Sequence, residues 1–322
     1  MRRTATVRLD RPITEAAELA HRAEDLGFDG VWVADHYFHR DATGALALMA
    51  TATSRITMGT AVVSPLLRHP ALLASSAASL AEISDGRFIL GLGAGGYEFA
   101  SELGIRSRRP LGLTAEAVEI VRGVFAGRAD VEGETFSAHG AALRFEPRAT
   151  PVYLAARGPK MLGLAGRVAD GVITHGLSSR HVSYVIDRMG VAEADRRPAV
   201  VLMLDVQIDE DQARARDALR PRCMTMAGGS YADELIDVYG LDAGAVARLR
   251  AALRSGDRAA AQGLVTDEMV DAFCIAGSSG HLGDRLEELA ASGVDEVILS
   301  VDGGDLPTAT RHLTDLAKAV VR

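Results

Sequence analysis

One unit recurs along this chain: a helix with Leu and Ala on one face, a Gly or Asp-Gly, then a short apolar strand. Glu18-Leu-Ala-His-Arg-Ala-Glu-Asp-Leu-Gly-Phe-Asp-Gly-Val-Trp-Val-Ala-Asp35 has this form. So do Leu164-Ala-Gly-Arg-Val-Ala-Asp-Gly-Val-Ile-Thr-His175 and Leu286-Glu-Glu-Leu-Ala-Ala-Ser-Gly-Val-Asp-Glu-Val-Ile-Leu-Ser300. A continuously apolar strand must be covered on both faces, and a helix between two such strands covers them while returning the chain in the same direction. Eight strands are predicted, at about 4–9, 30–35, 56–63, 87–93, 151–156, 171–175, 200–208 and 296–301. Eight parallel strands with intervening helices predict a TIM (β/α)8 barrel, with an open doubly wound sheet as the alternative.

Two stretches exceed this minimal unit. Residues 132–145 hold Gly133, Thr135, Phe136, His139 and Gly140 in rough alternation, which predicts a small hairpin inserted before the fifth strand. Residues 211–284 are rich in Ala and Arg and read as several helices inserted between strands seven and eight. No low-complexity linker interrupts the chain, so residues 1–322 are expected to form a single domain.

Bulk properties narrow the partners. With 48% apolar and 24% charged residues the 322-residue chain is not disordered. A net charge of −8 leaves no broad basic patch for nucleic acid or a membrane surface. Cys223 and Cys274 are far apart and in no ligand-like spacing, which points to free thiols in a reducing compartment. The first residues lack the apolar stretch of a signal peptide and no run approaches a membrane span, so a cytoplasmic location is expected.

The chemistry gathers at strand ends. Gly30-Val-Trp-Val-Ala-Asp35-His36 is a buried-strand pattern that stops at a carboxylate and an imidazole, which is either a reactive pair where barrels hold such groups or the start of a polar loop. The helix before it, about residues 14–26, stops at Gly27, which suits a left-handed cap. Gly91-Leu-Gly93-Ala-Gly95-Gly96 matches a dinucleotide fingerprint literally. No strand-tip acid follows at the required distance, so these glycines are read as a backbone that something flat or bulky approaches closely. At Ala155-Ala-Arg157-Gly-Pro-Lys160 a strand turns into a helix. That offers amides and cations to an anion, or is a plain tight turn with a solvated Arg. His175 brings another imidazole to the same rim, whereas His21, His181, His281 and His312 fall in helical contexts and are expected to be solvated. No metal is expected: Asp35, His36, His39 and Asp41 lack ligands from a second strand.

Together these segments resemble the luciferase-like monooxygenase superfamily, and most closely its deazaflavin-dependent, methylenetetrahydromethanopterin reductase-like branch. The likeness runs through Trp32-Val-Ala-Asp35-His36, Met58-Gly-Thr-Ala-Val-Val63, Arg68-His-Pro70, Asp85-Gly-Arg-Phe-Ile-Leu-Gly-Leu-Gly-Ala-Gly95 and Pro151-Val-Tyr-Leu-Ala-Ala-Arg-Gly-Pro-Lys160. It continues through Ala169-Asp-Gly-Val172, Gly277 and Gly293-Val-Asp-Glu-Val-Ile-Leu299.

The resemblance implies coenzyme F-420, or less often FMN, across the carboxyl-terminal mouth of the barrel. It implies a non-proline cis peptide at Ala61–Val62, in a bulge with Val63 and Ser64 that buttresses the cofactor ring. Asp35 would contact the cofactor, His36 would lie near the reacting face, and Gly93 and Gly95 would allow close approach. Ala155, Ala156, Arg157, Gly158 and Pro159 would hold the cofactor's phosphate with Lys160, and His175 would line the rim. The implied activity is hydride transfer to an unidentified small organic substrate by a homodimer. An FMN-dependent monooxygenase and a non-catalytic flavin-binding barrel are the alternatives. One departure bears on the substrate. Sugar-phosphate dehydrogenase relatives carry an acid after the fourth-strand glycines, where this chain has Gly96-Tyr97 and then Glu98, which argues against a sugar phosphate.

Overall fold

The computed structural model describes residues 1–36, 39–94, 102–105, 109–190, 197–229, 231, 233–301 and 304–320. Eight parallel strands close on themselves in the order β1 (Arg2–Thr6), β2 (Gly30–Val33), β3 (Thr57–Thr60), β4 (Phe88–Leu92), β7 (Val152–Ala155), β8 (Gly171–Thr174), β9 (Ala199–Ile208) and β11 (Glu296–Leu299). β11 returns to β1 with Arg2 opposite Glu296, so no barrel edge is left open. The expected TIM barrel is present, and the open-sheet alternative is excluded by this closure.

The helices that cover the barrel are α1 (Ile13–Asp25), α2 (Ala42–Ala52), α3 (Pro70–Ile83), α4 (Pro110–Phe125), α5 (Pro159–Val168), α6 (Ser179–Met189), α12 (Ser279–Ala291) and α13 (Leu306–Val320). Each turns an apolar stripe inward; α1 buries Ala16, Leu19, Ala20 and Ala23. Gly27 sits just past α1 with φ +86°, a left-handed conformation in which it donates to the Glu24 carbonyl. At that end Glu24 is buried against the loop before β3. Burial alone would raise its pKa, but the amides of Arg55, Ile56 and Ser54 hydrogen-bond the carboxylate and bring it down to about 2.

Two large rings fill the barrel interior, and glycines make room for them. Trp32 and Tyr153 lie 5.9 Å apart between centroids, packed with Ile89, Ile173, Val201 and Ile298. A Cβ at Gly59 would stand 2.5 Å from Trp32, and one at Gly171 would stand 2.8 Å from Tyr153. The floor is polar: Glu296 accepts from Trp32 Nε1 at 2.6 Å and Thr4 Oγ1 at 3.0 Å, and pairs with Arg2 at 3.2 Å. The barrel is therefore a closed-bottomed cup. Among the described residues the reactive strand-tip groups gather at the carboxyl-terminal mouth.

Both predicted additions are present. The hairpin is β5 (Ala129–Glu132) with antiparallel β6 (Ser137–Ala141), tied to α4 by Glu116, which accepts from the amides of Glu134, Thr135 and Phe136. It begins three residues earlier than the sequence suggested. The insertion after β9 contains α7 (Gln212–Ala227), α8 (Glu234–Tyr239), α9 (Ala243–Ser255), α10 (Arg258–Gly263) and α11 (Asp267–Phe273) around its own apolar cluster. It is not wholly helical: Cys274–Gly277 forms β10, parallel to the far end of β9, with Cys274 opposite Asp205. Residues from Ser279 onward already belong to α12, the barrel helix that precedes β11. Cys223 and Cys274 are free and fully buried.

Candidate active site

The β2 tip carries Asp35 and His36 onto the rim of the mouth. Asp35 is fixed through its backbone, whose N–H donates to the Val62 carbonyl at 3.3 Å. Its side chain is only 7% exposed and faces Arg68 at 3.5 Å. Burial raises its pKa, while Arg68 pulls in the opposite direction. His36 stays reachable from solvent, with its ring 5.8 Å from that of His39. Partial desolvation, then repulsion between the charged ring and His39 and Arg8, lower its pKa below the ordinary histidine value, against the pull of Asp35. The imidazole is thus neutral at neutral pH and able to take up a proton. A cavity of about 260 Å³ opens beside this pair, with Leu67, Leu103 and Ile105 as its apolar wall.

The third strand breaks its ladder after Thr60. The Ala61–Val62 peptide is cis, as the resemblance implied, and pairing resumes at Val63, which bridges Leu92. Val63 N donates to the Gly91 carbonyl at 2.9 Å, and Gly93 N donates to Val63 O at 3.0 Å. Ala61 and Val62 pack on the interior cluster under the mouth. The side chain of Val63 instead joins the core between barrel and helices, and Ser64 closes the turn through Leu66 and Leu67. A Cβ at Gly93 would stand 2.5 Å from Val62 and 3.2 Å from Ala155. The close approach that the glycines permit is therefore made first by the bulge itself. Gly95 and the Gly96-Tyr97-Glu98 stretch lie outside the described residues.

The β7 tip differs in part from the anion cradle that the sequence allowed. The amide of Ala156 is used in the sheet, donating to Ile173 O at 3.0 Å, and its side chain is buried. The Arg157 guanidinium is half-buried and reaches into the insertion. It stacks 4.7 Å from the Tyr231 ring centre, donates to Tyr239 Oη at 3.3 Å, and donates to Met226 O at 3.2 Å. What remains for an anion is the start of α5. Gly158 caps it with open space around its Cα, Pro159 occupies the first turn, and the amides of Lys160 and Met161 precede the first helical bond, Leu162 N to Gly158 O.

His175 lies on the next strand tip. Its Nδ1 is 3.0 Å from the Met203 carbonyl, and a carbonyl can only accept, so Nδ1 carries the hydrogen and Nε2 keeps a lone pair. Burial, then Arg157, lowers the pKa of His175 to about 4. The ring is a neutral acceptor across the physiological range. His181, expected to be solvated, is instead fully buried 5.2 Å from the Tyr239 ring.

The chain as a whole also matches known proteins. The luciferase-like monooxygenase family model matches residues 1–296. This chain belongs to the luciferase-like monooxygenase family. A 5,10-methylenetetrahydromethanopterin reductase of Methanolobus tindarius is 36% identical over 294 residues, covering 89% of this chain and 90% of that protein. An F-420-dependent glucose-6-phosphate dehydrogenase of Beutenbergia cavernae is 33% identical over 219 residues, covering 62% of this chain and 65% of that protein. Among solved structures, the F-420-dependent tetrahydromethanopterin reductase of Methanopyrus kandleri superimposes with a TM-score of 0.83 at 28% identity, covering 99% and 97% of the two chains.

Within this luciferase-like barrel, sequence reasoning passed over a polar group opposite the bulge. Asp205 follows Val201 and Met203 on the inward face of β9. It accepts from Ser300 Oγ at 2.6 Å and from Arg222 Nη1, brought by α7, at 3.3 Å. The alternation along β9 was the available signal for Asp205. Arg222 had none, because the insertion's docking is a tertiary fact.

Proposed function

We propose that this protein is a coenzyme F-420-dependent oxidoreductase that exchanges a hydride between the deazaflavin and a small organic acceptor. The observation that carries this reading is the division of the mouth. One side is small and uncharged, built from Ala61, Val62, Gly93 and Ala155; the others offer Asp35, His36 and a neutral His175. A flat tricyclic ring fits a surface of that kind, and an anionic tail fits the start of α5 beside Lys160. When bound, the deazaflavin supplies two-electron hydride chemistry with little reactivity toward oxygen.

The chain supplies position and proton handling. Val62, seated by Gly93, backs the ring, and Asp35 anchors it from the neighbouring strand tip. His175 offers Nε2 as an acceptor to a ligand N–H or O–H group. His36, neutral and open to the 260 Å³ cavity, holds the acceptor by hydrogen bond and exchanges the proton that accompanies the hydride.

The reaction named for the relative of Methanolobus tindarius makes methylenetetrahydromethanopterin the first acceptor to assay. Anaerobic reoxidation of reduced F-420 on adding that compound, followed by absorbance, tests the reading. Acceptor-dependent reoxidation is expected. Consumption of reduced FMN and oxygen, with no F-420 turnover, would favour the monooxygenase reading instead.

A homodimer completes the proposal. α2 and α3 bear a single charged side chain between them, Glu82, and leave Leu48 and Leu72 exposed, Leu72 by 64%. An uncharged outer face of this kind suits self-association about a two-fold axis. Light scattering should give twice the 34.0 kDa chain mass.

A further inference from the structure

We propose that Arg68 is a positioning residue: it bridges Asp41 and Asp35, and so holds the Asp35 carboxylate in place at the barrel mouth. This rests on Asp35 being the cofactor's anchor. The bridge is held at both ends. Asp41 caps α2, its Oδ1 accepting from Gly44 N at 2.9 Å, which leaves Oδ2 as the partner of Arg68 Nη2. Thr43 Oγ1 lies 3.5 Å from Arg68 Nη1, and the same nitrogen stands 3.5 Å from Asp35 Oδ2. On its own loop Arg68 precedes His69, which caps α3 through Nδ1 and the Ala71 amide at 3.3 Å. His69 Nε2 reaches Ser137 O at 3.1 Å. A guanidinium with both its loop and its first carboxylate fixed has few conformations left, so little entropy opposes its contact with Asp35.

The contact is also placed where it matters. Exposed ion pairs contribute little, but Asp35 is almost wholly buried, and a buried carboxylate without a cation either protonates or moves toward water. Arg68 and the Asp35–Val62 backbone bond together tie the β2 tip to the bulge of the third strand. The groups that face Asp35 are Arg68 from the loop after the bulge, His36 on its own tip, and Asp41 with the Ala42 amide from the start of α2. Arg68, His36 and the Ala42 amide favour its charged form, and Asp41 opposes it.

Those opposite signs give a test that a merely structural bridge would fail. Carboxyl-carbon NMR of the full-length apoprotein, labelled at aspartate, reads the titration midpoint of Asp35 in wild type, R68Q, R68K and D41N. R68Q should move the midpoint up by about one pH unit or more. D41N should move it down, and R68K should stay near wild type. F-420 affinity followed against pH should lose its acid limb at correspondingly higher pH in R68Q and lower pH in D41N. An unchanged or lowered midpoint in R68Q would overturn the role of Arg68. Should R68Q fail to fold, R68M is read in its place, with the same upward shift expected and an unchanged midpoint overturning the role of Arg68. D35A tests the underlying reading separately: F-420 affinity equal to wild type would remove Asp35 as anchor whatever the midpoints show.

Discussion

His36 sits between a carboxylate that favours its charged form and His39 and Arg8, which oppose it, and burial tips the balance toward the neutral ring. Substituting it with Ala should lower turnover by a factor on the order of 10² at saturating F-420 while changing the dissociation constant far less. The sign of the pH dependence follows from the lowered pKa. The neutral ring persists below pH 6.5, so an acid limb set by His36 falls below that value, and H36A should abolish it. A limb that survives in H36A would assign the proton to another group. At this scale the sequence was informative about strand tips and silent about side-chain direction. Asp35 and His36 were legible because they end an apolar run. Arg157 was legible as a cation, but its turn toward Tyr231 depends on where the insertion docks, and the burial of His181 depends on the same contact. Asp85-Gly-Arg87, part of the family likeness, is a structural motif: Asp85 and Gly86 turn with positive φ. Arg87 then staples the α2 end by donating to the carbonyls of Ala50, Thr53, Ile56 and Ser84.

At the scale of elements, the bulge after β3 and the glycines of β4 form one device. G93A places a methyl group against Val62, so the bulge must shift. F-420 affinity should fall by roughly tenfold, equivalent to about 1.4 kcal/mol. Wild-type affinity in G93A would show that the bulge does not support the ring. The junction of α1 with the loop before β3 makes a separate prediction. E24Q should lower stability by about 1–3 kcal/mol, because buried amides lose a charged acceptor. Glu24 is held at about pKa 2 in the fold, below its ordinary 4.5. Its contribution is therefore complete above about pH 4.5 and is lost as pH falls through 2. Denaturant melts of wild type and E24Q should converge over that window; a constant gap down to pH 2 would contradict the assignment. β1 reads Arg-Arg-Thr-Ala-Thr, has no apolar run, and starts two residues earlier than the sequence suggested. Most barrel strands were legible as short apolar runs after a glycine or polar turn. β10 was not: Cys-Ile-Ala-Gly between helical stretches has neither alternation nor length to mark it, and it is a strand only because β9 runs on to Ile208.

The whole molecule couples a barrel with an insertion that has a core of its own. Ties between them include β10 on the extension of β9, Arg157 in its aromatic cage, Arg222 on Asp205 and Ser300, and Tyr184 Oη donating to Glu234 at 2.6 Å. With these ties the chain should unfold as one domain in a single calorimetric transition, whereas two resolved transitions would show that the insertion folds apart. R157A should separate them before any other single change, since it empties the cage of Tyr231, Tyr239 and Phe273. The repeat of helix and strand made the barrel legible from sequence. The insertion's contacts were not, because they join residues such as Arg157 and Tyr239 across long separations with no local pattern. The mouth these parts enclose is proposed to be built for a deazaflavin. Parallel titration of the apoprotein with F-420 and with FMN, read by fluorescence and absorbance, tests it most directly. Saturable F-420 binding in the low-micromolar range or tighter is expected, weakened in D35A, with FMN binding far more weakly. Tight FMN binding with none for F-420 would contradict it.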